Sequence, residues 1–129
     1  MQFRVKVPRM FGAILRELVE GVDGGVASVV MGLDGIALGS YAVDAAAVDP
    51  DAVGIELGVV LKALKHAVAM LEGGQTQEFC VTAKGLMTVV RVLDDEFFIA
   101  LALRPDASVG RARYLLRVNA SHMKACIQA

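Results

Sequence analysis

"VVMGLDGIALGSYAV", residues Val29 to Val43, consists of two apolar runs on either side of Asp34-Gly35. The Asp-Gly pair between such runs is a strong signal for a β-hairpin, because tight hairpin turns need residues that tolerate a positive φ. A Walker-type phosphate loop would instead need Lys and then Ser or Thr directly after its last glycine. Ile36 and Ala37 follow Gly35. The stretch therefore predicts two strands joined by a turn and not a nucleotide site.

Helical and strand patterns alternate outward from this hairpin. Residues 8–20 have apolar side chains at helical spacing, with Pro8 suited to the first turn. Residues 48–74 predict the longest helix, with Asp49 or Asp51 as its N-cap and Gly73-Gly74 as its end. Further elements are three strands within 75–83, 85–93 and 96–103, a last helix within 106–129, and a possible extra strand at 1–7.

This order predicts an α+β fold with the sequence α-β-β-α-β-β-β-α. Short turns at Lys84-Gly85 and Asp94-Asp95 join the last three strands as a meander, so the sheet should be five-stranded and antiparallel. The length of 129 residues suits one domain covering residues 1–129.

Composition excludes several classes of function. The net charge of −1 gives no electrostatic footprint for nucleic acid. No uncharged apolar run reaches the roughly 18 residues of a membrane span, and no signal peptide is recognisable. With only Cys80 and Cys126, a disulfide framework is not expected. The sequence predicts a soluble, cytoplasmic protein.

The long helix has apolar residues on two sides. One stripe, which includes Val53, Leu57 and Leu64, should face the sheet of its own chain. The small residues Gly58, Ala63 and Ala67 would allow another helix to approach closely. A second stripe is expected to face another subunit and consists of Ile55, Val59, Ala63, Ala67 and Met70.

Candidate chemical groups do not combine into a site. His122 and Cys126 have the i, i+4 spacing of two metal ligands, but no second pair accompanies them. Three arginines in "ASVGRARYLLR" could contact an acidic partner, although a solvated helix face is the favoured interpretation. The sequence therefore predicts no catalytic residue, no metal and no cofactor, and hence no enzyme.

The chain resembles the Roadblock/LC7 family. The resemblance is carried by "LVEGVDGGVASVVMGLDGIALGS", the long helix "AVGIELGVVLKALKHAVAMLEGG" and "FCVTAKGLMTVVRVLDDEFFIALALRPDASVGRARYLLR", and covers about residues 8–127. Asp34, Gly35, Gly85, Gly110 and Arg113 match the family pattern. The resemblance implies a profilin-like sandwich and a homodimer whose sheets join edge to edge while the middle helices pack together.

The resemblance also implies partners. The expected function is a non-enzymatic homodimeric adaptor that binds and modulates a small Ras-like GTPase, as bacterial members of the family often do. The alternatives are a structural scaffold subunit, as in dynein light chains or lysosomal scaffolds, and a small-molecule sensor. The predicted dimer and partner interface comprises Ile55, Val59, Lys62, Ala63, His66, Ala67, Met70, Glu78, Cys80 and Thr82.

Overall fold

The structure is a computed structural model that describes residues 3–128, with side chains from residue 11 onward. Its elements follow the predicted order, and the five strands form one antiparallel sheet in the order β2-β1-β5-β4-β3. The elements are α1 (Phe3–Glu20), β1 (Gly25–Gly32), β2 (Ala37–Ala42), α2 (Pro50–Met70), β3 (Glu78–Thr82), β4 (Met87–Val92), β5 (Phe97–Leu103) and α3 (Val109–Gln128).

The sheet separates two apolar layers. On one face, α1 and α3 bury residues such as Phe11, Leu15 and Leu116 against β1, β4 and β5. On the other face, α2 packs alone over a smaller cluster around Phe98 and Leu61. Ser28 is a buried polar residue of β1, and its hydroxyl donates a hydrogen bond of 2.9 Å to the carbonyl of Leu15 in α1. No helix of the described chain combines the length and apolarity needed to cross a bilayer.

The start of α2 and its close approach to the sheet follow from a few residues. Asp49 is the N-cap, and its carboxylate accepts a hydrogen bond from the N–H of Asp51 at 3.0 Å. Gly58 is buried, and a Cβ built there would be 3.4 Å from the ring of Phe98, an ordinary contact distance. Gly58 is therefore buried against the chain's own sheet, and the expectation that it faces another helix is wrong.

The end of α2 differs from the predicted glycine stop. The N–H of Gly73 bonds to the carbonyl of Val68 at 2.9 Å, and the N–H of Glu72 bonds to that of Ala69 at 3.1 Å. This pair of bonds is a Schellman motif, whose left-handed residue is usually glycine. Here Glu72 occupies that position with φ 56°.

The β1–β2 turn is at Asp34-Gly35 as predicted, but it is longer than a two-residue turn. Gly35 has φ 87°, while Asp34 does not have a positive φ. The N–H of Gly35 bonds to the carbonyl of Gly32 at 2.9 Å, and the N–H of Gly32 bonds to that of Ile36 at 3.0 Å. These bonds describe a turn with one left-handed glycine, which suits a three-residue hairpin loop.

The N-terminal segment is helical and not an extra strand. α1 begins at Phe3 and includes Pro8, which the sequence had placed in the first turn. Phe3 and Val7 fit both a strand period and an i, i+4 helical spacing, so the pattern alone could not decide. The part of this prediction that falls on residues 1–2 lies outside the described residues.

Candidate functional site

The outward side of α2 is an exposed apolar stripe, as the two-sided sequence pattern predicted. Val59 is 63 % exposed, Met70 71 % and Ile55 49 %. Ala63 and Ala67 are also exposed and complete the stripe. Scattered apolar residues on a surface are common, but a continuous apolar strip along a helix is typical of an interaction surface.

Two polar residues of the predicted interface lie beside this stripe. Lys62 and His66 are both exposed on α2. Lys62 and Ile55 border a shallow cleft of about 190 Å³ between α2 and the β1–β2 turn, where Gly54 and Gly35 form part of the lining. The structure thus brings together the seven predicted residues on α2, namely Ile55, Val59, Lys62, Ala63, His66, Ala67 and Met70.

Strand β3 is an edge of the sheet, as predicted for the joining strand. The carbonyl of Gln77 accepts from the N–H of Val92 in β4 at 2.8 Å, and the N–H of Ala83 donates to the carbonyl of Leu86, directly before β4, at 3.2 Å. Because backbone groups alternate along an antiparallel strand, Glu78, Cys80 and Thr82 direct their N–H and C=O groups away from β4. These three predicted residues therefore present the hydrogen-bonding groups with which another strand could pair.

The side chains of the same three residues lie on the face opposite α2. Glu78 contacts arginines of α3, and Cys80 and Thr82 share its face because side chains alternate along a strand. The α2 face of β3 carries Phe79, which packs in the α2 cluster, and Val81, which is 40 % exposed. The side chains of the predicted interface are thus split between the two faces of the sheet. The two-residue period of a strand would have identified Phe79 and Val81 as the β3 side chains on the α2 face.

Glu78 is the centre of an ion-pair cluster that joins β3, β4 and α3. Its carboxylate accepts from Arg113 Nε at 2.8 Å and from Arg91 at 3.3 Å, with Arg117 at 3.9 Å. The hydrogen bond from Arg113, assisted by the charges of the three arginines, lowers the pKa of Glu78 despite the opposing effect of burial. Glu78 is ionised at neutral pH, and it fixes the edge strand to α3.

Cys80 lies next to this cluster but is not activated. Burial raises the pKa of the Cys80 thiol, and the opposing charge of Arg113 is the smaller effect. The thiol is therefore protonated at neutral pH, whereas a nucleophilic cysteine needs a lowered pKa. Cys126 is buried in the core, whereas His122, one turn earlier on α3, is exposed. The described residues contain no group of three His, Cys, Asp or Glu side chains able to hold a metal.

Three solved structures with the same fold illustrate the likeness. MglC from Myxococcus xanthus is 32 % identical, with a TM-score of 0.63, over 88 % of this chain and 95 % of that chain. The Roadblock/LC7 domain from Streptomyces avermitilis is 14 % identical, with a TM-score of 0.81, over 91 % and 97 %. A structure described as MglB with tetrameric arrangement is 13 % identical, with a TM-score of 0.81, over 93 % and 89 %.

A more distant likeness concerns the fold alone. Profilin II from Acanthamoeba castellanii is 12 % identical, with a TM-score of 0.57, over 88 % of this chain and 96 % of that chain. The prediction of a profilin-like Roadblock sandwich is therefore confirmed. No protein-family model matches the sequence, and no curated protein sequence matches it either.

Proposed function

The chain belongs to the Roadblock/LC7 family, and from this premise we propose that it is a homodimeric, non-enzymatic adaptor that binds a small Ras-like GTPase and modulates its nucleotide cycle. The observation that carries the proposal is the exposed apolar stripe of α2. Val59 and Met70 are each more exposed than buried, and an apolar helix face of this extent is stabilised when another protein covers it.

The proposed dimer uses both predicted surfaces. The α2 stripes of two copies pack against each other, and the small side chains of Ala63 and Ala67 allow the helices to approach. The β3 edges pair in the same assembly, with hydrogen bonds from the outward backbone groups of Glu78, Cys80 and Thr82. Pairing at one edge and one helix face would join the two sheets into a continuous surface.

The proposed action on the GTPase is mechanical. A rigid surface can bias the mobile switch segments of a GTPase toward one arrangement without supplying a reacting group. In this proposal the hydrolytic machinery belongs to the GTPase, and the adaptor changes its turnover by holding those segments. This agrees with the protonated state of Cys80 and with the use of Glu78 as a structural ion-pair partner.

The test has two parts. Light scattering during size exclusion measures whether the purified chain is a dimer, and a dilution series gives its dissociation constant. Ras-like GTPases of the source organism, loaded with GDP or with a non-hydrolysable GTP analogue, are then mixed with the chain, and binding and GTP turnover are measured.

The outcomes separate the candidate functions. A dimer that binds one GTPase in a nucleotide-dependent way supports the proposal. A monomer contradicts the dimer, and a dimer that binds no GTPase in either nucleotide state contradicts the adaptor role and favours the scaffold alternative. Substituting Val59 by Asp on the stripe should weaken dimer formation, whereas the same change at exposed Val118 of α3 is the matched control.

A further inference from the structure

The charge of α3 differs from that of the rest of the chain. Between Val109 and Gln128 it contains Arg111, Arg113, Arg117 and Lys124 and no aspartate or glutamate. The whole chain carries −1 and α3 carries +4, so the remaining residues together carry −5. Positive charge is thus concentrated on one helix of an otherwise acidic chain.

Two of these cations lie together beside strand β3. Arg113 and Arg117 are one helical turn apart, so their side chains project in the same direction. Both contact Glu78, which also contacts Arg91, so that three guanidinium groups share one carboxylate. The side chains of Arg113 and Arg117 are 45 % and 55 % exposed. Their unused N–H groups, with a local surplus of positive charge, are accessible to a partner.

A cleft of about 300 Å³ continues from this cluster toward the β4–β5 turn. Arg91 and Lys124 supply donors to its lining, and Asp94 and Asp95 supply acceptors. Two buried atoms of lining residues, Arg91 Nε and Thr76 Oγ1, have no hydrogen-bond partner among the described residues. Most buried polar atoms in folded proteins are paired, so these two atoms are exceptions. The cleft beside them is lined by both donor and acceptor side chains.

We propose that Arg113, Arg117 and this cleft form a docking surface for an acidic peptide segment of a partner protein. A guanidinium group presents paired donors that match the two oxygens of a carboxylate. Glu78 already orients Arg113 through a 2.8 Å hydrogen bond, so this side chain loses less freedom when an acidic residue binds.

The mixed lining of the cleft selects a peptide over other polyanions. A peptide provides carboxylates for the arginines and backbone N–H groups for Asp94 and Asp95. Phosphate groups of a lipid surface or a nucleic acid backbone carry no such N–H donors, so they would place negative charge beside Asp94 and Asp95 without a compensating hydrogen bond. Tight binding of nucleic acid also rests on several phosphate contacts by basic residues, and this surface offers few.

This surface lies on the opposite face of the sheet from the α2 stripe, and it adjoins the β3 edge of the proposed dimer only through Glu78. Arg113 and Arg117 are on α3, whereas the apolar stripe is on α2 across the sheet. An acidic segment could therefore bind while the α2 stripe is covered by a second copy.

The experiment measures binding of a fluorescein-labelled peptide in which Glu alternates with Ser, by fluorescence anisotropy at low salt. The double variant Arg113→Gln/Arg117→Gln should weaken binding by about tenfold, because charge-assisted hydrogen bonds to the carboxylates are lost. The matched control Arg16→Gln/Arg104→Gln removes the same charge from exposed arginines elsewhere and should change binding by less than about twofold.

A single variant and additional ligands test the proposal if the double variant does not fold. Arg117→Gln alone removes only the 3.9 Å contact with Glu78 and should still weaken binding measurably. Equal binding of a Gln/Ser peptide, or an equal loss in the matched control, would overturn the proposal. Tighter binding of single-stranded DNA or phosphatidylserine vesicles through the same arginines would also overturn it, because the partner would not be an acidic peptide.

Discussion

Replacing Val59 by Asp should dissociate the dimer proposed for this chain. Complete burial of a valine side chain contributes about 1.5–3 kcal/mol. Val59 is 63 % exposed, so covering it in a dimer would contribute about 1–2 kcal/mol per copy, or about 2–4 kcal/mol for the two symmetric copies. Since about 1.4 kcal/mol corresponds to a tenfold change, the dissociation constant should rise between about 30-fold and about 700-fold.

Sedimentation equilibrium over a dilution series measures this change directly. Val118→Asp is the matched control, because Val118 is also on a helix and is 52 % exposed, but on α3. The control carries the same loss of helix propensity and the same added charge, and it should leave the dissociation constant unchanged. Circular dichroism of both variants establishes that each is folded.

Two results would refute the reasoning. If Val59→Asp and the unmodified chain dimerise equally, the α2 stripe does not form the dimer interface. If Val118→Asp dissociates the dimer as strongly as Val59→Asp, the effect comes from added charge in general and not from the covered face. Neither result depends on identifying a GTPase.

Three further predictions concern the fold. Glu72→Gly should raise the free energy of unfolding by about 1 kcal/mol in urea titrations, because glycine adopts the left-handed conformation without strain. Gly25→Ala should lower it by about 3 kcal/mol, because the added Cβ would be placed against the backbone carbonyl oxygen of Val19. Glu78→Gln should destabilise the chain at neutral pH, and the difference from the unmodified chain should shrink in acid.

The sign of the pH effect follows from the lowered pKa of Glu78. A carboxyl whose pKa is lower in the folded state stabilises the fold above its unfolded pKa of about 4.3, and the contribution is lost as pH falls through the folded value. A gap between Glu78→Gln and the unmodified chain that is as large in acid as at pH 7 would contradict this.

Glu72→Gly and Gly25→Ala each have a control variant, one at the same residue and one at another glycine. Glu72→Gln keeps the strained φ and should not raise stability, so an equal gain there would mean that charge and not conformation matters. Gly12→Ala adds a Cβ in α1 that meets no described atom within 4 Å beyond its chain neighbours and the adjoining helix backbone, and it should stabilise the chain by up to about 1 kcal/mol. Destabilisation by Gly12→Ala comparable to that of Gly25→Ala would contradict the steric argument.

Patterns with a long apolar repeat were predictable from the sequence, whereas single backbone conformations were not. α2 could be identified with both of its stripes because its apolar side chains repeat over six turns. The helical start at Phe3 was missed because a short segment fits two periods equally well. The left-handed conformation of Glu72 was missed because residue preference assigns that conformation to the adjacent glycines. The backbone bonds donated by Glu72 and Gly73 instead place the left-handed position of the Schellman motif at Glu72.

The interface prediction on β3 was limited by a different property of strands. In an edge strand, a residue's backbone groups can point toward a neighbouring strand while its side chain points to one face of the sheet. Glu78, Cys80 and Thr82 have the outward backbone groups, but their side chains face α3. A second copy that pairs with this edge would therefore contact their backbones, and a side-chain substitution such as Thr82→Ala would report little about pairing. Substitutions at the exposed stripe and at the arginine cluster can instead be interpreted separately, because the sheet lies between them.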